Sequence, residues 1–343
     1  MLKRFVKSTL ITGGLETARI VKMAGLMKAA RGRGAIFTLH HVRPRRPRLF
    51  DPNAHLEITP EFLDTAISTL KAEGYRFVAL ENLPQELTAE GRAPIAVFTL
   101  DDGYRNNIEH AAPVFSRYSV PFTVFATRGF IERTHGLWWE TLADLMEAKN
   151  SLTFDFGAGP ETLPLDTAAR KHQAFGRFAD YVGTGDEATA VAAIDVLARA
   201  NGIEPLSITE KLTLDEGGLK QLVDNSLAQL GVHTVSHRAL SRLSDEEVRA
   251  ELNRSIEIIE QITGNRPTTL AYPYGFLSAV SARDRQLARA LGLTVAVTTQ
   301  PGTLDAAQEL TALPRISLNG HFQKAAYVGA LASGIPFRMM RTG

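Results

Sequence analysis

From Ala35 onward the chain alternates short apolar runs with stretches of helical spacing. Ala35-Ile36-Phe37-Thr38-Leu39-His40 reads as a first strand ending in polar residues. Thr59, with Pro60 and Glu61 behind it, is an N-cap signal, and Phe62, Ile67 and Leu70 carry the helix to a stop at Gly74. Tyr75 to Leu80 and Ile95 to Leu100 read as strands, Asn107 to Tyr118 as a helix, and Phe122 to Ala126 as another strand. The rhythm returns with strands at Leu227 to Val232, Thr269 to Ala271 and Leu293 to Val297. Between them lie helices from about Asp245 to Ile262, opened by Ser244, and near Ala282 to Leu291. Strands alternating with helices predict parallel βαβ units and an α/β fold.

Residues 127–218 break this rhythm with the tryptophan pair Trp138-Trp139, a Gly-rich turn near Gly157 to Pro160 and an Ala-rich charged stretch. They are expected to form a mostly helical insertion, which barrel folds accept in their loops. The expected organisation is a basic amphipathic segment at 1–34, one domain at 35–320 that contains the insertion, and a tail at 321–343. With 343 residues, 44% of them apolar, the chain is long enough for one barrel-sized core.

A formal net charge of +1 gives no overall pull toward nucleic acid, and none is expected as a partner. The basic charge is concentrated at one end. Lys3, Arg4, Lys7, Arg19, Lys22, Lys28, Arg31 and Arg33 face the single acid Glu16 in residues 1–34, and Arg43, Arg45, Arg46 and Arg48 follow. Leu2, Phe5, Val6, Leu10, Leu15, Ile20, Leu26 and Met27 lie among these cations partly at helical spacing. Such a helix either rests in a membrane interface or, as most amphipathic helices do, packs on its own domain. Gly13, Gly14, Glu16 and Arg19 interrupt any signal-peptide core, and no apolar stretch is long enough to span a bilayer. A cytoplasmic protein, with peripheral contact to the inner membrane as an option, is the expectation. The sequence has no cysteine, so a metal would be held by His and carboxylates.

Two motifs carry chemistry. Asp101-Asp102-Gly103 follows the apolar run Ile95 to Leu100, which places two carboxylates at a strand's end, where α/β folds keep their active sites. Asp-Asp-Gly is equally the composition of a plain turn. His233-Thr234-Val235-Ser236-His237 follows Leu227 to Val232, and two histidines at i and i+4 share a face if the segment is helical. Together the motifs offer two imidazoles and a carboxylate for a divalent cation, zinc first, with cobalt, nickel or iron also suited. The second carboxylate is left free to move a proton.

Asp101-Asp102-Gly103, His233-x-x-x-His237 and Tyr272-Pro273-Tyr274-Gly275 occur in the order of the motifs of the polysaccharide deacetylase (NodB-homology) family of carbohydrate esterases, which the chain resembles from about Ala35 to Ile316. The resemblance implies an irregular (β/α)7-type barrel with the insertion described. It implies hydrolysis of an N-acetyl group from an amino sugar of a glycan or glycolipid; the basic amphipathic segment at 1–34 suggests a lipid-linked or envelope-glycan precursor as that substrate. Asp101 would be the base, Asp102, His233 and His237 the ligands of a metal that holds the attacking water, and the Tyr104 backbone N–H an oxyanion donor. Tyr274 and Pro273 would line the sugar site. O-deacetylation, or glycan binding without turnover, are the alternatives.

The chain departs from the family pattern in two places. Ala271 stands where the third motif usually has an Arg, with Arg315 as a candidate substitute or a surface ion pair. No late Leu-x-His supplies the acid. His40, in Phe37-Thr38-Leu39-His40-His41, resembles the first-strand His of the biofilm poly-N-acetylglucosamine deacetylases and is the expected acid, with His321 the other candidate. Trp138 and Trp139 are candidates for a sugar-stacking platform or for core packing.

Overall fold

The computed structural model describes residues 2–91 and 93–342. Seven parallel strands form the frame: β1 (Gly34–Leu39), β2 (Ile95–Leu100), β3 (Phe122–Ala126), β4 (Ala228–Val232), β5 (Thr269–Ala271), β6 (Val295–Val297) and β7 (Ile316–Ser317). They lie side by side in chain order from β1 to β6, and β7 pairs with the free edge of β1. Leu313, just ahead of β7, pairs in parallel with Val297 of β6, which brings the two ends of the sheet together. This is the expected α/β barrel.

The strands are apolar on both faces because both are covered. Ala35, Phe37 and Leu39 of β1 and Ala96, Phe98 and Leu100 of β2 point outward, against Phe62, Leu63, Ile67, Phe115 and other residues of the surrounding helices. The opposite parity, Ile36, Ile95, Val97, Phe125, Ala271, Val295, Val297 and Leu313, fills the barrel. Gly231 makes room for that filling, since a Cβ there would meet the Phe125 ring at 2.4 Å.

The helix Pro60–Ala72 starts as expected, with Thr59 Oγ1 accepting from Phe62 N at 3.1 Å. Ser244 and Glu247 form a reciprocal capping box on Asp245–Thr263. The run Tyr75 to Leu80 yields only a two-residue strand, Arg76–Phe77, on β2. Beyond Ala96 the same edge of β2 is taken by β3, starting at the Phe98–Phe122 pair, so no room is left for a longer strand.

The insertion is helical, as expected, but also contains an antiparallel hairpin, Ser151–Asp155 with Pro160–Pro164, turning over the Gly-rich segment. Its core, with Phe154, Phe178, Val182 and Ile194, runs without a break into Tyr104 and Trp139 at the barrel rim. The terminal segments are not loose tails. The helix Leu2–Met23 buries Leu15 and Ala18, packing together with the helices Ala325–Ala332 and Ile335–Thr342, while Ile20 and Met23 stay exposed. Lys22 pairs with Glu73 and ties it to the barrel. Among the described residues no helix is long and apolar enough to cross a membrane.

Candidate functional site

Strand parity selects the residues that meet at the carboxyl end of the barrel. The inward column of β2 runs Ile95, Val97, Thr99 and then Asp101; that of β1 runs Ile36, Thr38 and then His40; that of β4 ends in His233. Asp102 would point outward on a continued strand. Instead it has φ 72° and Gly103 follows at φ 68°, so the chain reverses and the second carboxylate swings to the histidines. Seven non-glycine residues among those described have positive φ, and four of them, Asp102, Thr234, His237 and Tyr274, lie in the three motif segments. Backbone strain is thus concentrated at the site.

His233-Thr234-Val235-Ser236-His237 is not helical, which corrects the i, i+4 expectation. Left-handed residues at Thr234 and His237 fold it into a loop that still aims both rings at one point. Glu251, buried on the helix Asp245–Thr263, holds the loop: it accepts from Val235 N at 2.7 Å, Ser236 N at 2.9 Å and Ser236 Oγ at 2.6 Å. Thr127 Oγ1 donates to the His233 carbonyl at 3.0 Å, and Gly129 N to that of Val235 at 2.9 Å.

The two Nε2 atoms stand 3.5 Å (His233) and 3.4 Å (His237) from the same Asp102 oxygen, Oδ1, which is buried and has no hydrogen-bond partner among the described residues. Those distances are long for hydrogen bonds. They match two donors around one ion, because bonds of about 2.0–2.2 Å at a tetrahedral angle separate donors by roughly 3.4 Å. His233 Nδ1 donates to the Ala271 carbonyl at 2.7 Å, which fixes the tautomer that presents a lone pair at Nε2. Burial lowers the His237 pKa to about 4, against the opposing pull of Asp102, so this ring is neutral at pH 7. These three residues fit a divalent cation.

Asp101 is held differently. Arg315, fully buried, donates to its two oxygens at 2.7 and 2.6 Å, to Thr99 Oγ1 at 3.1 Å and to the Thr298 carbonyl at 2.8 Å. Burial works to raise the Asp101 pKa, and the guanidinium outweighs it, leaving the carboxyl below its ordinary range. Arg315, raised from the sequence as either a substitute for the Arg missing at Ala271 or a surface ion pair, is thus a buried partner of Asp101. Ala271 itself is buried and contributes only its carbonyl.

A family model described as polysaccharide deacetylase matches residues 88–296, more than half of the chain. The chain belongs to the polysaccharide deacetylase family. It aligns with chitin deacetylase 1 of Cryptococcus neoformans at 38% identity over 71 residues, 21% of this chain, and spans only 14% of that relative's length. The Streptococcus pyogenes deacetylase PplD, solved in complex with acetate, is similar over 83% of this chain and 92% of its own, with a TM-score of 0.55 and 18% identity. IcaB from Ammonifex degensii is similar over 87% and 97%, with a TM-score of 0.55 and 16% identity. At these identities the likeness is one of fold. His40 and Arg315 both lie outside the stretch matched by the family model.

The other residues expected at the site in this member of the family are placed as the structure shows. His40 is half-buried at the end of β1, and its carbonyl accepts from Asn107 Nδ2 at 2.8 Å. His321 is exposed and lines a separate cavity with Arg43 and Arg48. The Tyr274 ring stands 5.1 Å from that of His237, and its hydroxyl donates to Glu187 at 2.7 Å. Pro273 is buried beneath it, its carbonyl accepting from Gly275 N at 2.6 Å. Trp138 and Trp139 are only 9% and 7% exposed, and their indole N–H groups donate to the hydroxyls of Tyr274 and Tyr104 at 3.1 and 3.0 Å. Buried in this way they brace the wall of the site, as the core-packing alternative has it, and offer no open ring face for stacking.

Behind that wall lies a buried polar set that the sequence did not single out. His41 stacks on Tyr104 with ring centroids 3.5 Å apart, and its Nδ1 faces Asn106 Nδ2 at 2.8 Å. Its Nε2 lies 3.6 Å from Glu140, whose Oε1 also accepts from Asn53 at 3.1 Å. Burial raises the Glu140 pKa to about 7, the opposing effect of Arg43 notwithstanding.

Proposed function

We propose that this protein hydrolyses an N-acetyl group from an amino-sugar unit of a glycan or glycolipid. The observation that carries the reading is the pairing of an Asp102–His233–His237 cluster with a separately clamped carboxylate, Asp101, at the open end of the barrel. A divalent cation held by the cluster, Zn2+ first and Co2+, Ni2+ or Fe2+ next, would polarise a water and the acyl carbonyl. Asp101, kept ionised by Arg315, takes the proton from the attacking water. The Tyr104 N–H, fixed by the reversal at Asp102-Gly103, donates to the developing oxyanion. His40 at the end of β1 gives the proton that lets the amine leave, a role for which its place on the inward column of β1, beside Asp101 on that of β2, supports it over the exposed His321. Tyr274 and Pro273 line the sugar site.

The test is acetate release from acetylated chito-oligosaccharides by metal-loaded protein. Release that stops with a chelator and returns with Zn2+ or Co2+ is expected. Bound metal without turnover on any N- or O-acetylated glycan would refute the reading.

A further inference from the structure

Next to the catalytic end of the barrel lies a second cavity of about 210 Å3, whose lining includes four arginines, Arg43, Arg45, Arg46 and Arg48, of the segment that follows His40 and His41. His41-Val42 pairs with Glu57-Ile58, and Arg43 N donates to the Ile58 carbonyl at 3.0 Å, so this segment forms a short two-stranded sheet of its own just past β1. Two further bonds tie it to the catalytic turn: Asn106 Oδ1 accepts from Val42 N at 2.9 Å, and Asn107 Nδ2 donates to the His40 carbonyl at 2.8 Å. Three residues span at most about 10 Å, so Arg43 begins the cavity wall within reach of a short glycan held at His40.

The wall is built rather than incidental. Gly320 lies so close to the facing turn that a Cβ there would meet the Ala54 carbonyl at 2.1 Å, so the last loop forms the cavity's far side. Glu57 pairs with Arg43 and, at 2.9 Å, with Arg48, which also reaches Asp51 at 4.0 Å. Those two arginines are thereby held in place. Arg45 and Arg46 project exposed over the same cavity, so four guanidinium groups face two carboxylates and a positive charge of two remains. A planar guanidinium fork matches the oxygens of a phosphate, and several converging forks suit it better than a neutral sugar.

We infer that this cavity is a phosphate subsite, and that the substrate of the proposed deacetylation is a phosphorylated amino-sugar glycan whose phosphate rests on Arg45 and Arg46 while its acetamide lies at Asp101. The inference rests on the deacetylase reading for the acetamide but not for the phosphate. Calorimetry with N,N′-diacetylchitobiose 1-phosphate against N,N′-diacetylchitobiose tests it without requiring turnover. The phosphorylated sugar should bind at least about tenfold more tightly, and the Arg45→Ala/Arg46→Ala protein should lose that margin. Arg45→Lys/Arg46→Lys should recover part of it. The preference in kcat/KM for the phosphorylated sugar should fall in parallel, through KM.

Equal binding of the two sugars, or a margin untouched by the double alanine variant, would overturn the subsite. So would arginine-dependent capture of phosphatidylglycerol vesicles without capture of the phosphorylated sugar, since the phosphate would then come from a lipid headgroup. Phosphate-dependent binding with no acetate release from any substrate would leave the subsite standing and remove the deacetylase reading. Acetate release with no phosphate preference would do the reverse.

Discussion

Asp101 and Asp102 are neighbours of one residue type in one buried turn, yet the two carboxylates face different partners. Asp101 stays on the inward column of β2 and meets a guanidinium delivered from the opposite end of the chain. Asp102 leaves the strand through a left-handed residue and meets two imidazoles, with one oxygen lacking any hydrogen bond among the described residues. One half of the site thus satisfies its charge internally, and the other sets a carboxylate and two imidazoles at the spacing of ligands around a single cation. A single strand end yields a proton acceptor and a ligand because parity fixes the first residue and backbone strain redirects the second.

The largest effect on this division should come from Asp101→Asn, which removes proton transfer and should lower the rate of acetate release by about 10²–10⁴-fold. Arg315→Ala attacks the same half through its support. It leaves a buried, uncompensated carboxylate and should cost about 3–5 kcal/mol in denaturant unfolding. An unfolding midpoint like that of the wild type would show the pair to be dispensable. On the other half, Glu251→Gln loosens the loop that aims His233 and His237 without touching a donor atom. Metal affinity measured by chelator competition should weaken by about 10–100-fold.

The smallest effect is expected behind the wall, at Glu140, where the folded pKa is raised from 4.5 to about 7. A raised carboxyl stabilises the fold in its neutral form, fully below its unfolded pKa, and that contribution is lost as pH rises through about 7. Glu140→Gln should therefore be more stable than wild type at pH 8 by on the order of 1–3 kcal/mol, and the difference should shrink toward pH 5. A difference independent of pH would mean that Glu140 is not held neutral by burial.

The succession of strands and the meeting of the first two motifs at strand ends were readable because both are local. Ile95 to Leu100 is an apolar run that ends in carboxylates, and His233 and His237 follow another. Conformation within the motifs was not readable: nothing in a β-branched Thr234 signals a left-handed backbone, so the histidine pair invited a helical interpretation. Partners across the chain were harder still. The Arg315–Asp101 pair joins residues 214 positions apart, and it exists only because the ends of the barrel meet at β7. Glu251 sits on a helix whose charged residues look like a solvated face, and only the docked loop shows one of them to be structural. The burial of Trp138 and Trp139 likewise depends on how the insertion folds back on the rim.

Metal content, measured side by side in the Asp101→Asn and Asp102→Asn proteins after loading with Zn2+ and desalting, tests the division of labour most directly. The account predicts that Asp101→Asn retains the wild-type amount of metal while Asp102→Asn loses it. Equal retention by both variants, or loss in Asp101→Asn with retention in Asp102→Asn, would contradict it.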